Sequence, residues 1–223
     1  MHGTDVCVIV PVYNEGPVLG SVLSQVLRNF PCVVCVDDGS SDASAGIIAG
    51  SGAVLVRHSV NLGQGAALQT GIAFALLDPA MQYFVTYDAD GQHQLCDVEG
   101  MLARLRHDGL NIVFGSRFLD QRTEVGVVKR LVLKLAVRYS NATTGVHLSD
   151  AHNGLRVFDR SVAEALDLRQ PGMAHASEFV ATVGRCGFRY AEEPVHILYT
   201  EYSRAKGQQL LNSVNILFDL IFR

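Results

Sequence analysis

Two aspartates set two residues apart, in Tyr87-Asp88-Ala-Asp-Gly-Gln92, close an apolar run of this 223-residue chain. At the end of a strand, such a pair can bear together on one hard divalent cation and on the phosphates that the cation carries. The ion would act as a Lewis acid on a diphosphate and stabilise charge building on a leaving group. Gln92 can add a neutral oxygen ligand. An isolated Asp-x-Asp equally suits a helix cap or a solvated turn, so its meaning rests on its neighbours.

Three further clusters also follow apolar runs. In Val36-Asp37-Asp38-Gly39-Ser40-Ser41-Asp42, two adjacent acids at a sheet edge are costly without partners, and Asp37 can accept hydrogen bonds from a base or ribose. The same Asp-Gly-Ser run also makes turns, and Ser41 or Asp42 can cap the next helix. Pro11-Val-Tyr-Asn-Glu15 ends the first run with polar groups suited to ribose hydroxyls. Asn61-Leu-Gly-Gln-Gly65 precedes a helix, where Gly65 can let backbone N–H groups approach phosphate or can simply allow a tight packing turn. It is no dinucleotide fingerprint, because it does not follow the first strand and Leu68 stands where a third glycine would be. Asp150, before His152-Asn153, and Glu178, in His175-Ala-Ser-Glu178, are candidate general bases. They also read as a turn residue and a first-turn helix acid. His152 and His175 lack partners at metal-ligand spacing and read as hydrogen-bonding histidines near a cleft.

Short apolar runs bounded by turn residues predict strands at Val6–Val12, Cys32–Asp37, Ala53–Arg57, Tyr83–Asp88 and Asn111–Gly115. Val18, Leu19, Val22, Leu23, Val26 and Leu27 form a helical stripe that Pro17 is placed to start. Ala66–Leu77 and Asp97–His107 predict two further helices. Strand, helix, strand at this spacing implies a mainly parallel sheet whose ligands sit beyond the carboxyl ends of its strands. The second half is less regular: helices at Val125–Tyr139 and Ser177–Cys186, strands at Leu155–Phe158 and Arg189–Glu193 with Pro194 as the stop, and an apolar helical tail at Gln208–Phe222. With no linker or repeat, one domain over 1–207 is expected, followed by a C-terminal helix over 208–223.

In this order, the clusters resemble family 2 glycosyltransferases of the GT-A fold, closest to the branch that transfers sugars to polyprenol (dolichol) phosphate. The matching residues are Pro11–Glu15, Asp37-Asp38-Gly-Ser, Asn61-Leu-Gly-Gln-Gly65, Asp88-Ala-Asp-Gly-Gln92 and Gly115-Ser-Arg117, with looser matches at Asn153-Gly-Leu-Arg156 and Tyr202-Ser-Arg-Ala-Lys206. The resemblance implies a Rossmann-like, mainly parallel sheet flanked by helices, and transfer from a UDP- or GDP-sugar to a polyprenyl phosphate with inversion. Pro11, Tyr13, Glu15, Asp37 and Asp38 would hold the nucleotide, and Asp88, Asp90 and Gln92 would hold Mg²⁺ or Mn²⁺. Arg117, Arg204 and Lys206 would meet phosphate charge. Two departures stand out. Ser203-Arg204-Ala-Lys206-Gly207 replaces the branch's late Gly-Ser-Lys element, and the transmembrane helices that the branch often adds are not seen.

Composition bounds the partners. Eighteen Lys plus Arg against 22 Asp plus Glu give a net charge of -4, which argues against a nucleic-acid surface. Five scattered cysteines without a leader read as reduced thiols in a cytoplasmic protein. Cys32 and Cys35, three apart on a strand, would face opposite sides and read as small core residues. Arg130, Lys134 and Arg138 form a basic helical stripe that, with the apolar tail, could rest on anionic headgroups. A saccharide hydroxyl as acceptor, a non-catalytic nucleotide-sugar-binding subunit working with a small membrane protein, and a homodimer are further expectations.

Overall fold

A computed structural model describes residues 4–120, 137, 141, 144–170 and 174–198. The basic stripe, the segment around Arg204 and Lys206, and the apolar tail lie outside the described residues. In chain order the elements are β1 (Val6–Val12), α1 (Gly16–Asn29), β2 (Cys32–Asp37), α2 (Ser44–Ser51), β3 (Val54–Arg57), α3 (Gln64–Ala75), β4 (Tyr83–Thr86), α4 (Leu95–Asp108), β5 (Ile112–Ser116), β6 (Arg156–Asp159), α5 (Arg160–Ala165), α6 (His175–Cys186) and β7 (Tyr190–Pro194).

The strands form one sheet in the order β3-β2-β1-β4-β6-β5-β7. β1 pairs in parallel with both β2 and β4, and β2 with β3. β6 lies antiparallel between β4 and β5, while β7 is parallel to β5. The sheet is therefore mainly parallel, as expected, with one reversed strand. Hydrophobic periodicity carries no strand direction, so nothing in the Leu155–Phe158 run could announce that reversal.

Alternation along the strands divides the core into two layers. Val6, Val8, Val10 and Val12 of β1 pack with Leu19, Val22, Leu23 and Val26 of α1 and with Val98, Met101, Leu102 and Leu105 of α4. Cys7 and Ile9 face the other side, against Leu68 and Ile72 of α3 and Phe179, Val180 and Val183 of α6. The Cys-x-x-Cys pair separates in the same way: Cys35 joins the first layer and Cys32 packs on the second. There Cys32 lies beside Cys7 of β1, Sγ to Sγ 3.1 Å, both as free thiols. Pro17 sits in the first turn of α1, where its missing N–H leaves no intrahelical bond unmade.

Two helices carry no legible stripe. α2 is short and ends on Gly52 at φ 93. α5 has six residues and forms because Asp159 caps it, its Oδ1 accepting the Val162 N–H at 3.0 Å.

Close packing of α3 on the sheet needs a glycine at 71. A Cβ there would lie 2.5 Å from Ile9 Cγ2 and 3.2 Å from Val36 Cγ2. Gly71→Ala should therefore lower unfolding stability by about 1–2 kcal/mol in urea titrations, from overpacking. Gly100 of α4 has open space around it, and Gly100→Ala should raise stability by up to about 1 kcal/mol through helix propensity. Equal effects at the two positions would contradict this packing.

Candidate active site

Among the described residues, the clusters that follow β1, β2, β4 and β5 stand at the carboxyl ends of those strands. The turn after β1 leans on the turn after β2 through its own backbone donors. Asn14 N–H reaches Ser40 Oγ at 3.0 Å, Glu15 N–H reaches Ser44 Oγ at 3.0 Å, and Gly16 N–H reaches Asp42 Oδ2 at 2.9 Å. The Asn14 carboxamide oxygen accepts the Ser41 N–H at 2.9 Å, which holds Asn14 at φ 54. Much of the Asp-Gly-Ser-Ser-Asp motif thus fixes the shape of Tyr13–Gly16. Pro11 is half-buried, and Tyr13 stands exposed at the rim.

Asp37 and Asp38 are both buried. Asp37 Oδ1 accepts the Ser40 N–H at 3.1 Å. Its Oδ2 lies 3.0 Å from Arg57 Nε, but the N–H is not aligned for a hydrogen bond. Asp38 anchors the loop after β3: its carboxylate accepts the Leu62 N–H at 2.9 Å and the Gly63 N–H at 2.8 Å, and lies 2.7 Å from His58 Nδ1. His58 Nε2 in turn meets Thr70 Oγ1 at 2.9 Å. Gly65 is needed for packing, because a Cβ there would run into the Gln170 carbonyl and lie 2.9 Å from His175 Cβ.

The Asp88–Gln92 turn continues from β4. Asp88 Oδ1 accepts from Gln64 Nε2 at 3.0 Å, and Oδ2 lies 2.9 Å from His93 Nε2. Desolvation pulls its pKa upward, but His93, by hydrogen bond and charge, with Arg156 and His175, holds the carboxyl below the usual range. Asp90 goes the other way and is pushed up to about 6, first by burial and then by the Asp88 charge. Its Oδ1 accepts the Gln92 N–H at 3.0 Å, while the buried Gln92 side chain keeps Nε2 without a protein partner. Tyr87 O–H donates to the His93 carbonyl at 2.7 Å, and the Tyr87 ring meets the imidazole edge-on with centroids 5.4 Å apart. Among the described residues no three His, Cys, Asp or Glu side chains converge as a complete metal cage. Two neighbouring carboxylates, one of them raised by burial and by the other's charge, still fit a cation that takes its remaining ligands from phosphate and water.

The reversed strand brings the 149–156 segment to the same edge. Gly154 lies against Asp88 so closely that any Cβ would strike the carboxylate, and its carbonyl accepts from Thr86 Oγ1 at 2.6 Å. Asp150, 1% exposed, grips Arg117 through Nε at 2.6 Å and Nη2 at 2.8 Å. Desolvation works against ionisation there, yet the Arg117 charge and hydrogen bonds keep the carboxyl below its usual range. Arg156 is buried under the Phe179 ring, 4.7 Å from its centroid, with Nε and Nη1 unpartnered. Glu178 Oε2 accepts the Arg169 and Gln170 N–H groups, each at 3.0 Å.

The structure thus gathers Pro11, Tyr13, Glu15, Asp37, Asp38, Gly65, Asp88, Asp90, Gln92, Arg117 and Asp150 around one edge. It engages Glu178 with the 169–170 backbone. Sequence reasoning gave no role to Gln64, His93 or Arg156. A histidine five residues past Asp88, and an arginine closing the Asn153-Gly-Leu run, were the available signals.

The sequence model of Glycosyl transferase family 2 matches residues 7–167. The chain is 26% identical over 235 residues to the UDP-N-acetylglucosamine–dolichyl-phosphate N-acetylglucosaminyltransferase of Methanococcus voltae, covering 96% of this chain and 93% of the relative. It is 31% identical over 222 residues to the polyprenol monophosphomannose synthase of Mycolicibacterium smegmatis, covering 94% and 82%. The fold matches glucosyl-3-phosphoglycerate synthase from Mycobacterium tuberculosis, a structure in complex with Mn²⁺, UDP-glucose and phosphoglyceric acid, at TM-score 0.69 and 19% identity over 99% of this chain and 79% of that one.

Burial pushes His152 down to about 4 from an ordinary 6.5, with Arg117 and Arg156 adding to the effect and Asp150 opposing it. Between those values the unfolded chain binds a proton that the folded chain refuses. His152 therefore contributes stability above pH 6.5 that drains away as pH falls toward 4, at up to about 1.4 kcal/mol per unit. Urea titrations across this range should show His152→Gln flattening the slope; an unaltered slope would place the acid sensitivity elsewhere.

Proposed function

The chain belongs to glycosyl transferase family 2, and on that premise we propose that it moves a sugar from a UDP- or GDP-sugar to a polyprenyl phosphate, with inversion and with a bound Mg²⁺ or Mn²⁺. The observation that carries this reading is the Asp88–Asp90 pair at the end of β4, facing the turns after β1 and β2. The Mn²⁺ and UDP-glucose in a structural neighbour support it. Two relatives named for different sugars and a shared type of polyprenyl-phosphate acceptor support the acceptor class while leaving the sugar open.

In this reading Tyr13 and Glu15, on the turn braced by Ser40, Asp42 and Ser44, border the nucleoside with Asp37. Asp88 and Asp90 hold the cation, and Gln92 keeps the turn in shape through its N–H on Asp90. When bound, the ion supplies Lewis-acid neutralisation of the departing diphosphate. Arg117, held in plane by Asp150, presents positive charge to the acceptor phosphate. Arg204 and Lys206 would add to it from outside the described residues. A phosphate oxygen is already ionised near neutrality, so the acceptor needs no general base. That fits Asp150 and Glu178, whose carboxylates are engaged by Arg117 and by backbone N–H groups. In-line attack opposite the leaving diphosphate is a single displacement, which inverts the anomeric centre. No helix among the described residues is long and apolar enough to cross a membrane, so the reading adds peripheral contact through the apolar tail as the route to a lipid acceptor.

A panel of UDP- and GDP-sugars with Mg²⁺ or Mn²⁺ tests this, with nucleoside diphosphate release read against a short polyprenyl phosphate and its alcohol. Release is expected only with the phosphate; equal release with the alcohol, or with a saccharide alone, overturns the acceptor. Asp90→Asn, or excess chelator, should cut turnover at least about a hundredfold while the variant stays folded, because the cation loses a charged ligand. Rates near wild type in either case would remove the metal from the mechanism.

A further inference from the structure

We propose that Glu192 is a positioning residue for Arg117, an inference that rests on the reading of Arg117 as a phosphate-binding group. β5 and β7 run parallel with Phe114 opposite Glu192. From there the Glu192 carboxylate meets the 149–150 segment and takes three different donors. Ser149 N–H lies 2.9 Å from Oε1 and 2.8 Å from Oε2, Ser149 O–H donates to Oε1 at 2.9 Å, and Asp150 N–H reaches Oε1 at 3.1 Å.

Two arms run from this carboxylate to the two sides of Arg117. One passes through the backbone of Asp150 to its carboxylate, which grips the guanidinium at 2.6 and 2.8 Å and accepts the Arg117 N–H at 3.2 Å. The other passes through hydroxyls. With its proton on Glu192, Ser149 Oγ accepts from Ser116 Oγ at 2.6 Å, and Ser116 Oγ accepts the Phe118 N–H at 3.2 Å. Residues 116 and 118 flank Arg117, so side chain and backbone converge on one anchor. Every hydrogen bond in this chain points toward Glu192, an arrangement in which each bond polarises the next. A carboxylate suits the position because it offers only acceptors. Because the Ser149 N–H meets both oxygens, a carboxamide in either orientation would turn its NH₂ toward that donor.

The test is the Arg117 Nε–H resonance in a ¹H–¹⁵N spectrum, assigned by its loss in Arg117→Lys. Bonded to a buried carboxylate, that proton should exchange slowly. In Glu192→Gln exchange is expected to quicken about tenfold or more, with KM for polyprenyl phosphate rising and KM for the sugar nucleotide little changed. Ser149→Ala, which cuts the hydroxyl arm alone, should give a smaller change of the same kind and covers the case in which Glu192→Gln fails to fold. Combined with Asp150→Asn, Glu192→Gln should add little, as members of one chain do. An Arg117 signal and acceptor KM unaltered in both single variants overturn the proposal. A shifted signal in an enzyme that ignores polyprenyl phosphate upholds the positioning role and sinks the acceptor instead.

Discussion

Two carboxylates 4 Å apart repel by about 1 kcal/mol in water and several times more where protein replaces solvent. The carboxyl edge of this sheet gathers Glu15, Asp37, Asp38, Asp88, Asp90 and Asp150, and much of the local structure answers that repulsion. Asp38 is satisfied by two loop amides and His58, Asp88 by Gln64 and His93, and Asp150 by Arg117. Asp90 is offset by one amide, while burial first and the Asp88 charge second push its pKa up. Asp90 is the acid of the β4 turn left least compensated, beside the partnered Asp88. That is where the proposed divalent cation would find its complement.

Topology decides what can approach the pair. Had β6 run parallel to its neighbours, its start would lie at the far edge of the sheet. Because it is reversed, the segment leading into it arrives beside Asp88. That segment brings Asp150 to Arg117, Gly154 under the carboxylate, and, two residues past Gly154, the buried Arg156. The parallel half and the reversed strand therefore have separate tasks. The first positions the groups assigned to the nucleotide; the second brings the counter-charges.

The parallel half was largely legible in the sequence because each strand there is an apolar run closed by turn residues, and the acids follow immediately. β1 and β2 have the bounds read from the apolar runs themselves. What stayed hidden depends on contacts between distant segments. Asp38 reads the same in a nucleotide site as in a loop anchor, and only the amides of Leu62 and Gly63 show which contacts it makes here. Arg117 and Asp150 are 33 positions apart, with no periodicity linking them. Glu192 sits in an Ala-Glu-Glu-Pro run that resembles an ordinary polar edge strand, and its partners lie 42 and 43 residues away. His93 was close enough to the motif to be noticed, but nothing in its spacing said that the imidazole turns back to Asp88.

Arg156 extends the charge argument below the surface. A guanidinium 1% exposed, with Nε and Nη1 unpartnered, is costly. Burial pushes its pKa down to about 10, against the pull of Asp88 and Asp150. The Phe179 ring face recovers part of that cost. An aliphatic side chain would pack there without the desolvation penalty, but it would leave Asp88 and Asp150 without a positive charge they share. Arg156 and Asp90 are thus two sides of one arrangement. One is a cation kept where the core would rather have none, the other an acid kept near another acid, and both lower the stability of the empty fold while setting the field that a diphosphate and its cation would enter.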